Sequence, residues 1–400
     1  MPLLPVGTPT PTQPSLSRVM QIPDFDKSSE TVIRGTVTAS ELRGLPGKLA
    51  GCVYREDGTK VTLSERLGGV MGDYVISDNP EVVTPVNGLK ALHGRGLYLG
   101  HYMGGHYGHF ITETLSTFWI FEETPASAFD YFLFHPFVFG LQIPAYVRFC
   151  LDRFEIPVEK IAFVGSEALT FEELLVPERL FRLNHSADPR SRWTYQHLSR
   201  ETRAPFPASS RLYLSRRRCS RTNFERVVAN EVEMEREFLR RGFRVLYPET
   251  MGFEDQIALY SRADCMAGIS GSGLHNSIFM RPQATVIELG DARYGGLPAP
   301  SQALCNKVSG VKPEFIPFVG GRFGARRTML FDMPFLRRSL DRIAEAAPGS
   351  EHPIRVRTSL LRRLVDALEV AYLSVRPSLG FVARRILERV RFRRTHSRRV

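Results

Sequence analysis

The sequence predicts an α/β protein, and three observations carry that reading. Short apolar runs alternate with amphipathic stretches through residues 211–289, in the rhythm strand, helix, strand, helix, strand, helix, strand. Glycine or proline punctuates several of the joints, at Gly242, Gly268 to Gly273 and Pro282. Hydrophobic residues make up 43% and charged residues 24% of the 400, an ordinary globular balance that excludes wholesale disorder and collagen-like repeats. At this length two domains, or one large α/β unit, are expected.

In chain order, residues 1–25 are rich in proline and read as a flexible arm. Asp24 and Asp26 flank Phe25 beside that arm. An Asp-x-Asp can hold a divalent ion, but here it does not end an apolar strand, and a solvated loop is expected. Short strands are expected at 31–37, 61–63 and 74–76. Residues 104–109, Gly-Gly-His-Tyr-Gly-His, open a helical segment in which Phe110, Leu115, Phe118 and Trp119 share a face, with Thr112 or Gly108 as cap. A strand at 131–134 and a helix at 147–154 follow. Residues 183–210 are polar and hold Pro189, Pro205 and Pro207, and read as the linker between a first domain, 26–200, and a second, 206–330. There the expected strands are 211–215, 243–247, 265–269 and 284–289, and the helices are 225–241, 253–262 and 273–281. Gly242 ends the first helix and Pro282 the last.

Charge is uneven. Residues 351–400 hold 13 arginines, no lysine and four acids, so +9 of the net +11 lies there. The near-neutral body argues against specific nucleic-acid binding. Within 335–400, Leu360, Leu361, Leu364, Val365 and Leu368 share one helical face, and Phe381, Val382, Ile386 and Val390 repeat the pattern after Pro377 and Gly380. Basic amphipathic helices are expected, the first packed on the body and the second on an anionic membrane surface. No run of 18 apolar residues and no basic-then-apolar leader occurs, and the five cysteines form no C-x-x-C pair. A cytoplasmic protein on the inner face of a membrane, without disulfides or bound zinc, is expected.

Four clusters could carry chemistry, and open parallel sheets bind ligands at the carboxyl ends of their strands. Ser270, Gly271, Ser272, Gly273, His275 and Asn276 sit between a strand and a helix, where glycines admit a ligand and free amides attract anions. A tight βα turn would leave the same pattern. Arg216, Arg217, Arg218 and Arg221 follow directly on the 211–215 strand, and Arg216 and Arg221 are the better phosphate ligands. His109 and Glu113 are four residues apart, one helical turn, as an imidazole and carboxylate sharing base duty would be, or as a simple capping pair. Glu288 ends the last expected strand, where a carboxylate can take ribose hydroxyls or merely end a turn.

Taken together these segments resemble glycosyltransferase family 61. Residues 211–217, Arg-Leu-Tyr-Leu-Ser-Arg-Arg, are similar to the family's strand ending in Ser-Arg-Arg. Asn230-Glu231, Gly242-Phe243, Gln256-Ile257, Ala263-Asp264, the loop from Gly268 to Asn276, Phe279-Met280 and Val286 to Leu289 follow in the family's order. Upstream, Gly108-His109-Phe110 with Glu113 and Leu115 is similar to its histidine helix. Ser270 stands where the family has His, Phe110 where it has Trp, and the arginine loop is longer. The resemblance implies a GT-B-like architecture, two Rossmann-like domains facing a cleft, and inverting transfer from a nucleotide-sugar donor to a glycan or lipid-linked acceptor, with no cofactor and no metal on the diphosphate. Glu113 or His109 would be the base. Arg216, Arg221 and the amides of Gly271, Ser272 and Gly273 would hold the diphosphate, with Ser270, His275, Asn276 and Glu288 lining the donor site. The rival reading is a non-catalytic nucleotide- or polyanion-binding module docked to a membrane by its tail.

Overall fold

A computed structural model describes residues 30–37, 51–66, 68–70, 73–75, 81–83, 90–136, 141–164, 169–200, 202, 210–219, 227–294, 296–323 and 328–346. The Asp24–Asp26 pair, Arg221 and the basic segment 351–400 lie outside them.

The first half is built on β1 (Glu30–Val37), β2 (Val53–Arg55), a small hairpin of β3 (Gly68–Val70) and β4 (Asp73–Val75), then β5 (Lys90–Tyr102). α1 (Tyr107–Thr112) runs into a 3-10 turn, Thr114–Glu122, followed by β6 (Tyr131–Pro136), α2 (Ala145–Arg153), β7 (Ile161–Phe163) and β8 (Leu169–Pro177). Its sheet has the order β2-β1-β8-β5-β6-β7. β8, β5, β6 and β7 are parallel, while β1 runs antiparallel to β8 and β2. The sheet is therefore mixed.

The described first part of the expected linker is structured. Residues 181–199 form a hairpin of β9 (Phe181–Arg182) and β10 (Ser186–Ala187) and then α3 (Arg192–Ser199). Tyr195 and Leu198 of α3 are fully buried. The polar residues of α3 alternate with these at helical spacing, so low mean hydropathy concealed an amphipathic helix.

The second half is β11 (Ser210–Leu214), α4 (Glu231–Arg240), β12 (Phe243–Leu246), α5 (Phe253–Tyr260), β13 (Ala263–Ile269), a 3-10 turn Leu274–Phe279, β14 (Thr285–Leu289), α6 (Pro300–Ser309), β15 (Lys312–Ile316), a hairpin of β16 (Gly320–Phe323) and β17 (Thr328–Phe331), and α7 (Met333–Ala346). The strands expected here are all present, with a fifth, β15, added. All five are parallel, in the order β12-β11-β13-β14-β15. α4 starts six residues later than expected. The Asn230 side chain accepts from the Phe331 amide (3.0 Å) and donates to its carbonyl (2.8 Å), which ties the chain to β17 before the helix begins. The expected helix at 273–281 is the short 3-10 turn.

Strand alternation sorts this sheet into two faces. Tyr213, Ala267, Ile287 and Leu289 pack with Phe238 of α4 and Leu336 and Leu340 of α7. Leu212, Leu214, Met266 and Val286 point the other way, into a core shared with the first half. That core also holds Ile257 and Leu259 of α5, Val147 and Leu151 of α2, Leu198 of α3, and Leu97, Phe132 and Phe134 of the first sheet. The molecule is thus sheet, helices, sheet, with one apolar layer joining the halves. Edge-on aromatic contacts stitch it: Tyr107 to Tyr146 and Phe253 (5.3 and 5.8 Å), and Phe253 to Phe279 (6.1 Å). Such pairs add about 0.5–1.5 kcal/mol each beyond area burial. No helix among the described residues is long and apolar enough to cross a membrane.

Candidate active site

In the order β12-β11-β13-β14-β15 the chain leaves β11 toward one edge and β13 toward the other. The crevice where such connections part lies at the carboxyl ends of β11 and β13. Ser215 begins one loop there and Ser270 the other.

After β11, buried acids shape the arginine loop. Ser215 Oγ donates to Glu235 Oε1 (2.7 Å) and the Arg216 amide donates to Glu231 (2.5 Å). Burial pushes the Glu231 carboxyl up to about 7. Tyr247 at the end of β12 donates to Glu235 (3.0 Å) and accepts from Arg217 (3.0 Å). The Arg217 and Arg218 guanidinium carbons lie 5.6 and 4.2 Å from the Tyr247 ring centre. These two arginines are therefore held on an aromatic ring. Arg216 is half-buried, and its Nε is buried and makes no hydrogen bond.

After β13, Gly271 takes φ 140°, where an L side chain is strained. Ser270 Oγ donates to Glu288 Oε1 (2.6 Å) across the ends of β13 and β14, and the Ala299 amide at the start of α6 donates to the same oxygen (2.9 Å). Glu288 thus braces the loop against α6. His275 Nε2 meets Ser301 Oγ at 3.0 Å, and Asn276 donates to the Gly273 carbonyl (3.0 Å).

Burial raises the Glu288 carboxyl from 4.5 to about 7. Below about pH 4.5 the group is protonated both folded and unfolded and does not affect stability. Between about 4.5 and about 7 it ionises only when unfolded, so its cost grows with pH; above that the cost is constant. Gln keeps the oxygen that accepts both hydrogen bonds. Glu288→Gln is expected to stabilise the protein by about 2–3 kcal/mol at pH 8 and by little at pH 4.5. Urea denaturation at the two pH values checks this, and an equal difference at both would refute it.

The histidine helix of the first half meets the glycine loop. A Cβ on Gly108 would stand 2.5 Å from Ser272 Oγ and 2.9 Å from its Cβ, so the close approach of α1 depends on that glycine. One residue back, Tyr107 donates to Asn276 Oδ1 (2.5 Å). The cap of α1 is neither Thr112 nor Gly108: the His106 side chain accepts from the His109 amide (3.3 Å). A short helix followed by a 3-10 turn still keeps the four-residue spacing, and His109 Nδ1 lies 2.5 Å from Glu113 Oε2. Glu113 is fully buried, whereas the His109 side chain keeps 23% of its surface exposed.

Sequence reasoning missed the group that sustains this pair. Arg66, buried 47 residues upstream, grips Glu113 with both ends of its fork, Nε to Oε1 at 2.8 Å and Nη2 to Oε2 at 3.1 Å. Burial alone would raise the Glu113 carboxyl, but the guanidinium and the imidazole hold it well below the usual carboxylate range. No spacing or motif links Arg66 to Glu113; only folding of the 51–66 segment over the sheet brings them together. An ionised carboxylate on Nδ1 holds the proton there and leaves the basic lone pair on Nε2.

The switch point of the parallel sheet thus carries a glycine loop and an arginine loop, and α1 brings an imidazole hydrogen-bonded to a carboxylate up to the first of them. That makes this crevice the candidate ligand site of the α/β fold. Residues 107–287 match the model of the family described as Glycosyltransferase 61, which supports membership of that family. The matched span runs from the start of α1 to β14 and so includes His109, Glu113 and both loops. Glycosyl transfer from a sugar donor to an acceptor is the activity that follows. A search of curated proteins finds no match.

Proposed function

We propose that the protein is an inverting, metal-independent glycosyltransferase, its two halves working as a GT-B pair, that moves a sugar from a nucleotide-sugar donor to a hydroxyl of a glycan or lipid-linked acceptor in polysaccharide synthesis. The observation that carries this reading is the contact of Gly108 with Ser272. It sets the His109–Glu113 pair of the first half against the loop at the switch point of the second. The donor diphosphate lies at the carboxyl ends of β11 and β13, against the Arg216 fork and the amides of Gly271, Ser272 and Gly273, with Arg221 from the same loop. His109 Nε2 takes the acceptor hydroxyl proton while the oxygen attacks the anomeric carbon from the face opposite the diphosphate. The bond from anomeric carbon to phosphate oxygen breaks, and the nucleoside diphosphate leaves with that electron pair. Cationic and amide donors stabilise the departing charge. Glu113 stays ionised and offsets the imidazolium.

The test is release of free nucleoside diphosphate from a panel of UDP- and GDP-sugars by the purified protein. A non-catalytic module would bind UDP or GDP and release nothing. Arg216→Ala is expected to weaken binding of the preferred nucleoside diphosphate by about 1.5–3 kcal/mol, the worth of a hydrogen bond to a charged group. Calorimetry with UDP and GDP measures it, and wild-type affinity in the variant would remove Arg216 from the site.

A further inference from the structure

The 3-10 turn Leu274–Phe279 follows the glycine loop, and its polar side chains part in two directions. His275 Nε2 meets Ser301 Oγ (3.0 Å) and Ser277 Oγ accepts from Gln302 Nε2 (2.8 Å), both on α6 of the same half. Asn276, between them, turns to the first half, where its Oδ1 accepts from the Tyr107 hydroxyl at 2.5 Å. Its Nδ2 donates to the Gly273 carbonyl (3.0 Å). A carbonyl only accepts, so this second bond fixes which end of the amide faces Tyr107. Asn276 is 1% exposed, and both ends of its side-chain amide are engaged inside the protein.

What Asn276 holds is one peptide plane of the glycine loop. Its carbonyl, on Gly273, is bound by Asn276, and its N–H, on Leu274, donates to the Gly271 carbonyl (2.8 Å). The His275 amide goes to that same Gly271 carbonyl (3.2 Å). The amides of Gly271, Ser272 and Gly273 have no partner among the described residues. A Cβ on Gly273 would meet nothing within 4 Å, so open space lies beside it. At the other end, Tyr107 opens α1, one residue before Gly108, which lies against Ser272, and two before His109. The Tyr107 ring packs edge-on against Tyr146 of α2 and Phe253 of α5, which fixes where its hydroxyl stands.

We propose that Asn276 is a positioning residue that couples the two halves of the site, and not a ligand of the nucleotide. The chain from Tyr107 hydroxyl to Asn276 amide to Gly273 carbonyl runs from the helix of His109 to the loop whose amides meet the diphosphate. This rests on His109 being the base and on the glycine loop holding the donor. Apolar packing joins the halves without fixing a direction, whereas a hydrogen bond fixes both distance and angle. The side-chain amide is planar, so its two bonds move together and a shift at one end is passed to the other. Reaction geometry is sensitive to displacements of about 1 Å. Loss of the Tyr107 bond therefore acts on the chemical step, while Asn276 still shapes the loop for the nucleotide.

The experiment is a double-mutant cycle of Tyr107→Phe and Asn276→Ala, read by single-turnover release of UDP or GDP from the preferred nucleotide sugar and by UDP and GDP affinity. Tyr107→Phe removes one hydroxyl and keeps the ring contacts. It is expected to lower the rate per bound nucleotide sugar about tenfold with nucleoside diphosphate affinity within about twofold of wild type. Asn276→Ala also frees the Gly273 peptide and is expected to lower both rate and affinity. The double variant is expected to match Asn276→Ala alone in rate, because the hydroxyl has lost the group it acts through. A loss of stability alone would reduce the active fraction and leave the rate per bound nucleotide sugar unchanged. Asn276→Ser, too short to span both bonds, serves if Asn276→Ala does not fold. A wild-type rate in Tyr107→Phe, or losses that multiply in the double variant, with His109→Gln inactive, overturns the coupling alone. Wild-type rates in His109→Gln, or no nucleotide released by the wild type, overturn it together with the function it rests on.

Discussion

His109→Gln is expected to lower turnover by a factor of about 10²–10⁴ while leaving nucleoside diphosphate affinity unchanged, the usual worth of a positioned general base. The split follows from where the side chains sit. Arg216 and the glycine loop belong to the second sheet, and His109 to a helix of the first, so removing the imidazole leaves the donor groups untouched. Between the two candidate bases the surroundings favour the imidazole. Glu113 is fully buried, and its oxygens are taken by Arg66 and His109. A carboxylate held well below its usual range is a weak base, and an enclosed one cannot reach an acceptor hydroxyl. Glu113→Gln should therefore also lower turnover, by releasing the tautomer and orientation of His109 and stranding the Arg66 charge. Single-turnover rates and calorimetry for both variants check this. Full activity in His109→Gln together with loss in Glu113→Gln would reverse the two roles.

What the sequence revealed and what it hid divide along physical lines. The parallel sheet was legible because β11, β12, β13 and β14 are short apolar runs, and each is separated by a helix or a glycine-bearing loop. The His109–Glu113 pairing was legible because it depends on local spacing, which survived even though the expected single helix became a short helix and a 3-10 turn. β5 was not, because its 13 residues hold Gly94, Gly96 and Gly100, and bulges break the alternation that marks a strand. α3 reads as a linker because its polar face outweighs its apolar one in composition. Arg66 could not be found at all: it grips Glu113 through tertiary contact, and a buried arginine looks in sequence like any surface arginine.

Arg66→Met should be the most destabilising of these substitutions, at about 3–5 kcal/mol near pH 8, because removing one partner of a buried ion pair strands the other. The size depends on pH in a direction the environment of Glu113 sets. In the wild type its carboxyl is depressed, so the stability it contributes is present above the unfolded value of 4.5 and is lost only as pH falls through the lower folded value. Without Arg66 the burial that raises the carboxyl is opposed by His109 alone, so the folded value moves up and the stability gained from ionisation above the unfolded value shrinks. Losing the grip that fixes Glu113 also loosens the orientation of His109, so activity falls along with stability. Arg66→Lys keeps the charge but not the two-pronged grip, and an intermediate loss is expected. Urea denaturation at pH 5 and pH 8 measures both the loss and its slope. A loss below about 1 kcal/mol at pH 8 would mark the pair as no stronger than a surface ion pair and would remove Arg66 from the support of the site.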